Sequence, residues 1–178
     1  MDELLTQEVF DCAWRYCCRC TISRQDAEDL MQDSLFLAFR RLPQLRDSGS
    51  FRNWLLSIIR RRHIDGQRKR RLDARLQTGL QYAATPGGGV MAAQHYEISG
   101  DCPASRALAV ALEFLPRDQR NLLCLHYIED LPVPDLAAIH NCSRGAIEQR
   151  LHRSRKALRA ALGSMVVSGN RHDLRSET

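Results

Sequence analysis

The sequence predicts an all-α fold of two small helical domains joined by a flexible linker, the second ending in a helix-turn-helix. Three observations carry that expectation. Apolar residues recur at helical spacing up to about Arg71 and again from Ser105. Between them about thirty residues, including Thr85-Pro86-Gly87-Gly88-Gly89, show no sustained periodicity, too long a stretch for a structureless loop inside one compact domain. Finally, the segment from Pro132 to Leu162 reads as two helices around a tight turn. With 178 residues, 44% of them hydrophobic, the chain can supply two modest cores.

In chain order, Leu5, Val9, Cys12, Ala13 and Tyr16 give a first amphipathic helix between Leu4 and Cys20. Ser23 is the expected N-cap of a second helix, with Asp26 in its first turn as a variant capping box. That helix is expected to run to about Leu42 and stop before Pro43. Its buried stripe is Ala27, Leu30, Met31, Leu35 and Ala38, which leaves Asp29, Gln32, Asp33, Phe36 and Arg40 on other faces. The positive end of the helix dipole accounts for Asp26, Glu28 and Asp29, but Asp33 lies too far in. An acidic surface in a chain of net charge +5 suggests a protein partner in addition to an anionic one.

Pro43 to Ser50 reads as a turn-rich loop, with Ser48 or Ser50 available to cap the next helix. From Phe51 the residues Phe51, Trp54, Leu55, Ile58 and Ile59 mark a buried face. Arg60, Arg61, Arg62, Arg68, Lys69, Arg70 and Arg71 then follow against Asp65 alone. Such a run either attracts a polyanion, nucleic acid first, or is a solvated face at a helix C-terminus.

In the second half Leu108, Leu112 and Leu115 mark one helix, and Pro116 suits the first turn of another whose core residues are Leu122, Leu123, Leu125 and Tyr127. A short helix over Pro134 to His140, a turn at Asn141 and Cys142, and Ser143 as N-cap lead into a long basic helix. Ala137, Ile139, Ile147 and Leu151 are the expected packing residues. A recognition helix offers its N-terminal side chains to base edges, which suits Arg144, Glu148 and Gln149, and later cations to phosphates, which suits Arg150, Arg153 and Lys156. The alternative is a surface helix of a plain all-α domain. The tail from Gly163 is expected to be frayed or disordered.

Seven cysteines, four of them at positions 12, 17, 18 and 20, form no paired Cys-x-x-Cys set. They read as buried thiols on a helix, with metal or redox sensing as the alternative. No apolar run reaches the roughly 18 residues of a membrane span, and the acidic start MDELLTQEVFD is unlike a signal peptide, so the expectation is a cytoplasmic protein. No Gly-rich phosphate loop, zinc-hydrolase His pair or pocket-forming carboxylate pair is present, so neither an enzyme nor a cofactor site is expected.

Five stretches together resemble the bacterial sigma-70 family, specifically its extracytoplasmic-function group: DAEDLMQDSLFLAF (Asp26 to Phe39), FRNWL (Phe51 to Leu55), Ile64-Asp65 before the basic run, LPRDQRNLLCLHYIEDL (Leu115 to Leu131) and CSRGAIEQRLHRSRKAL (Cys142 to Leu158). The resemblance implies a non-catalytic subunit that joins core RNA polymerase and directs it to promoters. It divides the chain into a region 2-like domain (1–71), a linker (72–104), a region 4-like domain (105–162) and the tail (163–178). It places the polymerase-binding surface, for the largest subunit, at Asp26, Glu28, Asp29, Gln32 and Asp33. Capture of an unstacked −10 base falls to Arg46, Asp47, Ser48, Phe51, Arg52, Asn53, Trp54, Arg60 and Arg61, and reading of the −35 element to Ser143, Arg144, Gly145, Glu148, Gln149, Arg150, Arg153 and Lys156. The C-terminal domain would also dock on the flap of the second-largest subunit, and a flexible linker makes capture by an anti-sigma factor geometrically easy.

The chain departs from the family pattern in three places. Arg61 stands where the family usually has asparagine, Glu148 where it usually has lysine, and the N-terminus is shorter by about one helix. Glu148 repels phosphate but accepts from cytosine N4, so an altered −35 preference is expected. The competing expectation is a stand-alone helix-turn-helix regulator acting without polymerase.

Overall fold

The structure is a computed structural model that describes residues 4–45, 47, 50–77 and 103–173. Among them every regular element is helical, and the chain divides into two compact units. The first is built on α1 (Gln7–Cys20), α2 (Arg24–Arg41) and α3 (Phe51–Gln77), each packed on the other two. The second is built on α4 (Pro103–Glu113), α5 (Arg117–Tyr127), α6 (Val133–His140) and α7 (Arg144–Asp173), with α4 and α5 both packed on α7.

In the first unit the termini of the helices are set by short polar side chains. Thr6 Oγ1 accepts from the Val9 amide at the start of α1. At its end Thr21 donates to the Cys17 carbonyl from both backbone and hydroxyl. Ser23 Oγ accepts from the Asp26 amide at 3.0 Å, the expected N-cap, and donates to the Asp26 carboxylate at 2.7 Å. The core gathers Tyr16 and Cys17 from α1, Ala27, Met31 and Ala38 from α2, and Phe51, Leu55, Leu56 and Ile59 from α3.

Several expectations are corrected here. Leu30 and Leu35 are only half-buried, and Ser34 fills the α2 stripe instead, its hydroxyl turned back to the Leu30 carbonyl at 2.6 Å. Helix α2 does stop before Pro43, as expected, ending at Arg41 with Leu42 as its C-cap, and a short 3₁₀ segment over Leu42–Gln44 then accommodates the fixed φ of Pro43 without needing its missing amide. Ser50 turns its hydroxyl back to the Asp47 carbonyl at 2.7 Å. Helix α3 runs on to Gln77, beyond the expected end at Arg71, since LDARLQ offers good helix formers and no breaker.

In the second unit Leu112, Leu115, Leu122, Leu125, Leu131, Leu136, Ile147 and Leu151 form the core. Pro116 is the N-cap residue of α5, one place before the first turn. Tyr127 is not core but 55% exposed, its hydroxyl accepting from Arg155 on α7 at 3.3 Å. Over the start of the expected tail the backbone of α7 is helical to Asp173, a single glycine at 163 costing only about 1 kcal/mol in a helix already nucleated, and residues 174–178 lie outside the described residues. The linker expected over 72–104 lies outside the described residues from 78 to 102.

Candidate nucleic-acid and protein interfaces

The packing of α2 decides what its other face can do. With Ala27, Met31, Ser34 and Ala38 turned inward, Asp26, Glu28, Asp29, Gln32 and Asp33 are all exposed. Three of the five are engaged locally. Asp26 accepts from the Ser23 hydroxyl, Glu28 pairs with Arg24 at 2.9 Å, and Asp33 receives Arg62 Nη2 from α3 at 2.5 Å. A groove lined by Asp26, Asp29 and Asp33 on one wall and Arg62, Lys69 and Arg70 on the other runs beside this face. Along the same helix Phe36 and Phe39 are exposed, Arg40 lying 5.8 Å from the Phe36 ring.

The candidates at the start of α3 separate into two sets. Phe51 is 2% exposed, with its ring 6.0 Å from that of Trp54, so it cannot meet a base and is corrected from DNA contact to core support. The apolar periodicity of the helix already pointed that way; burial of a whole phenylalanine is worth roughly 1.5–3 kcal/mol. Arg52, Asn53, Trp54 and Arg60 are half-buried, and Arg61 and Asp47 exposed. Asn53 Oδ1 is enclosed without a hydrogen-bond partner. Arg46 and Ser48 lie outside the described residues.

The cysteine cluster is buried in the α1 core rather than assembled into a site. Cys12, Cys17, Cys18 and Cys20 are all buried, with Cys17 Sγ 3.9 Å from Met31 Sδ. Burial first, then neighbouring thiols, holds the Cys17 thiol far above its ordinary range. No His, Cys, Asp and Glu group fit for a metal occurs among the described residues.

Helix α6 ends in a backbone motif that sets the direction of α7. Asn141 takes a left-handed φ of 48°, its amide donates to the Ala138 carbonyl at 3.2 Å, and the Cys142 amide to the Ala137 carbonyl at 3.0 Å. Asparagine tolerates this conformation better than most residues, so it serves where glycine is usual. Ser143 Oγ then accepts from the Ala146 amide at 3.2 Å and starts α7. Because Ile147, Leu151 and Ser154 take the inward face, Ser143, Arg144, Gly145, Glu148, Gln149, Arg150, Arg153 and Lys156 are all exposed. A Cβ placed on Gly145 would meet nothing within 4 Å.

The sequence places Arg62 in the basic run but not on Asp33, and it gives no place to the two buried serines, Ser34 and Ser154. Nothing local in the chain marks a contact between residues 29 positions apart. The serines break the apolar pattern and show their inward position only through the spacing of their neighbours.

Residues 5–72 match the family model for sigma-70 region 2, and residues 105–158 that for sigma-70, region 4. The chain is 31% identical over 136 residues to the ECF RNA polymerase sigma factor EcfG of Rhodopseudomonas palustris, covering 76% of this chain and 71% of that protein. It is 27% identical over 162 residues to the ECF RNA polymerase sigma factor SigW of Bacillus subtilis, 85% and 83% covered. The sigma factor RpoE of Bartonella quintana, solved with the anti-sigma factor NepR, is similar with a TM-score of 0.65 at 25% identity, over 87% of this chain and 92% of that one. CnrH, solved with the cytosolic domain of CnrY, gives a TM-score of 0.52 at 25% identity over 88% and 81%. A stand-alone helix-turn-helix regulator leaves the match over 5–72 without a purpose and is not favoured. The chain belongs to the sigma-70 family, in its extracytoplasmic-function group, and as an RNA polymerase sigma factor acts in promoter-specific transcription initiation.

Proposed function

We infer that the chain divides its work between a polymerase-facing helix and two DNA-facing helices, and has no catalytic step of its own. The observation that carries this is the separation of charge by face. The exposed side of α2 offers the carboxylates of Asp26, Glu28, Asp29 and Asp33, whereas the exposed sides of α3 and α7 are dominated by arginine and lysine. The carboxylates suit a cationic surface of the largest core subunit, and Asp29 and Gln32 extend the same exposed face.

The −10 contacts fall to Asp47, Arg52, Asn53, Trp54, Arg60 and Arg61 with the 43–50 loop, and Phe51 holds that platform from beneath. A half-buried Trp54 between core and solvent has one edge to offer an extruded base, whose stacking on an aromatic is worth about 1–3 kcal/mol. The −35 element falls to the exposed face of α7, with Arg144, Glu148 and Gln149 at base edges and Arg150, Arg153 and Lys156 on phosphates. Residues 1–71 and 105–162 then act as the two promoter-reading bodies, with 72–104 as the tether between them and a route by which an anti-sigma factor could hold both. No helix among the described residues is long and apolar enough to cross a membrane, and a place in the cytoplasm beside the nucleoid fits the proposed work.

The direct test is reconstitution. Mixed with core RNA polymerase, the chain is expected to give initiation from a defined start site on a cognate promoter. Failure to co-purify with core at low salt overturns the reading.

A further inference from the structure

Arg62 stands inside the basic run of α3, yet its guanidinium is turned away toward α2, where Nη2 donates to Asp33 Oδ2 at 2.5 Å. The two side chains remain 42% and 64% exposed, so an outside partner can take either without disturbing the core. The two residues also belong to surfaces with different assignments. Asp33 lies on the face assigned to polymerase, and Arg62 on the helix assigned to promoter DNA. In the free chain each is neutralised by the other.

We propose that the Asp33–Arg62 pair is a latch linking polymerase docking to DNA binding, an inference that rests on the polymerase-and-promoter reading above. A cation of polymerase that takes the Asp33 carboxylate releases the Arg62 guanidinium, which then adds one contact to a DNA phosphate. Arg62 is thus a DNA-binding residue of the holoenzyme and a silent one in the free chain. Thermodynamic linkage makes the effect reciprocal: whatever removes Arg62 from Asp33 also strengthens the hold on polymerase. An exposed ion pair is worth little, so each effect is about twofold to fivefold.

The test uses the full chain and a random-sequence DNA duplex, with affinity read by fluorescence anisotropy over a range of salt. Asp33→Ala is expected to raise the affinity of the free chain about twofold to fivefold more than Asp29→Ala. The second variant removes the same charge from the same face without touching Arg62 and so measures the general charge effect. Asp33→Ala is also expected to steepen the dependence of log K on log salt by about one unit, as for one added phosphate contact. In an Arg62→Gln background the excess of Asp33→Ala over Asp29→Ala is expected to vanish. Equal effects of the two alanine variants, or an excess that survives Arg62→Gln, overturns the latch.

In the second arm Arg62→Gln alone is expected to bind core polymerase about twofold to fivefold more tightly than the wild-type chain. An unchanged or weaker affinity overturns the proposal. Failure of the wild-type chain to bind core is a different result, since it removes the reading on which the latch rests whatever the DNA measurements give.

Discussion

Arg120 on α5 closes the end of α4: its Nε donates to the Leu112 carbonyl at 2.8 Å, and its Nη2 to the neighbouring Glu113 carbonyl at 2.7 Å. The last carbonyls of a helix lack intrahelical partners, and a cation there also meets the negative end of the dipole. One side chain thereby fixes the turn between α4 and α5, the two helices that support α7.

Replacing Arg120 by alanine removes both charged donors from the end of α4, although the Leu112 carbonyl keeps the Leu115 amide at 3.2 Å. Hydrogen bonds to a charged group are worth about 1.5–3 kcal/mol, and a loss of that order is expected for the second unit. Lysine, with a point charge in place of the fork, should recover only part of it. Urea unfolding followed by circular dichroism reads the loss. The two tryptophans, Trp14 and Trp54, both lie in the first unit and give an internal reference by emission. An unchanged far-ultraviolet midpoint would show that water caps α4 equally well.

Charge reversal at Asp29 tests the polymerase face without touching the Arg62 pair. Asp29→Lys sets a cation against the proposed cationic partner, and like charges across an interface cost several kcal/mol, so core affinity is expected to fall at least about tenfold. Helicity should be unchanged because the side chain is exposed. A drop in helicity together with binding would mean that Asp29 supports the fold instead.

On α7 the contentious residue is Glu148. It is exposed on the second turn beside Gln149, where a recognition helix meets base edges. A carboxylate accepts from cytosine N4 and repels phosphate, so Glu148→Lys is expected to move the preferred base at one −35 position from cytosine toward guanine. A good base contact discriminates by about 1–3 kcal/mol. Selection from a promoter pool randomised at −35 measures the change, and an identical profile for both proteins removes Glu148 from the set of readers.

Gly145 sits in the first turn of α7, and nothing within 4 Å of its missing Cβ requires a glycine for packing. Gly145→Ala should therefore stabilise the second unit by up to about 1 kcal/mol, the difference in helix propensity. If the glycine serves close approach of the helix backbone to DNA, the same variant binds the −35 element more weakly although it is more stable. Stability raised with promoter affinity intact would leave Gly145 with no role in recognition.

These predictions rest on features that differ in how far the chain discloses them. Ser23 before Asp26, Ser143 before Ala146 and Asn141 at the turn are local signals, and each determines a cap or turn through atoms a few residues apart. The exposed acids of α2 follow from the same periodicity that buries Ala27 and Met31. What the chain conceals is contact between distant segments. Arg62 on Asp33, Arg120 on the end of α4 and Arg155 on Tyr127 depend on how helices cross, which no window of sequence reports. Phe51 shows a different difficulty, because an aromatic beside a recognition loop suits both core and base stacking, and only burial decides. The stretch after Gly163 differs again, since its composition suggests fraying whereas elongation of a helix already nucleated carries the backbone on to Asp173.

The buried thiols and phenol of α1 make the first unit sensitive to alkali. Burial, then its neighbour Cys20, raises Tyr16 well above its ordinary 10.0, with Arg60 and Arg19 opposing. Burial likewise raises Cys17 and Cys18 from their ordinary 9.0. In the unfolded chain these groups ionise near their ordinary values, whereas in the folded chain they hold their protons to higher pH. The folded state therefore binds more protons above about pH 9, and stability, complete below that point, falls as pH rises, by up to about 1.4 kcal/mol per pH unit for each such group. Between pH 8 and pH 10 a loss of roughly 1–3 kcal/mol is expected for the first unit, read from urea midpoints by tryptophan emission. Cys17→Ala, which keeps a small apolar side chain on α1, should flatten the slope while lowering stability at pH 8. A slope unaltered by Cys17→Ala would move the alkaline sensitivity away from that thiol.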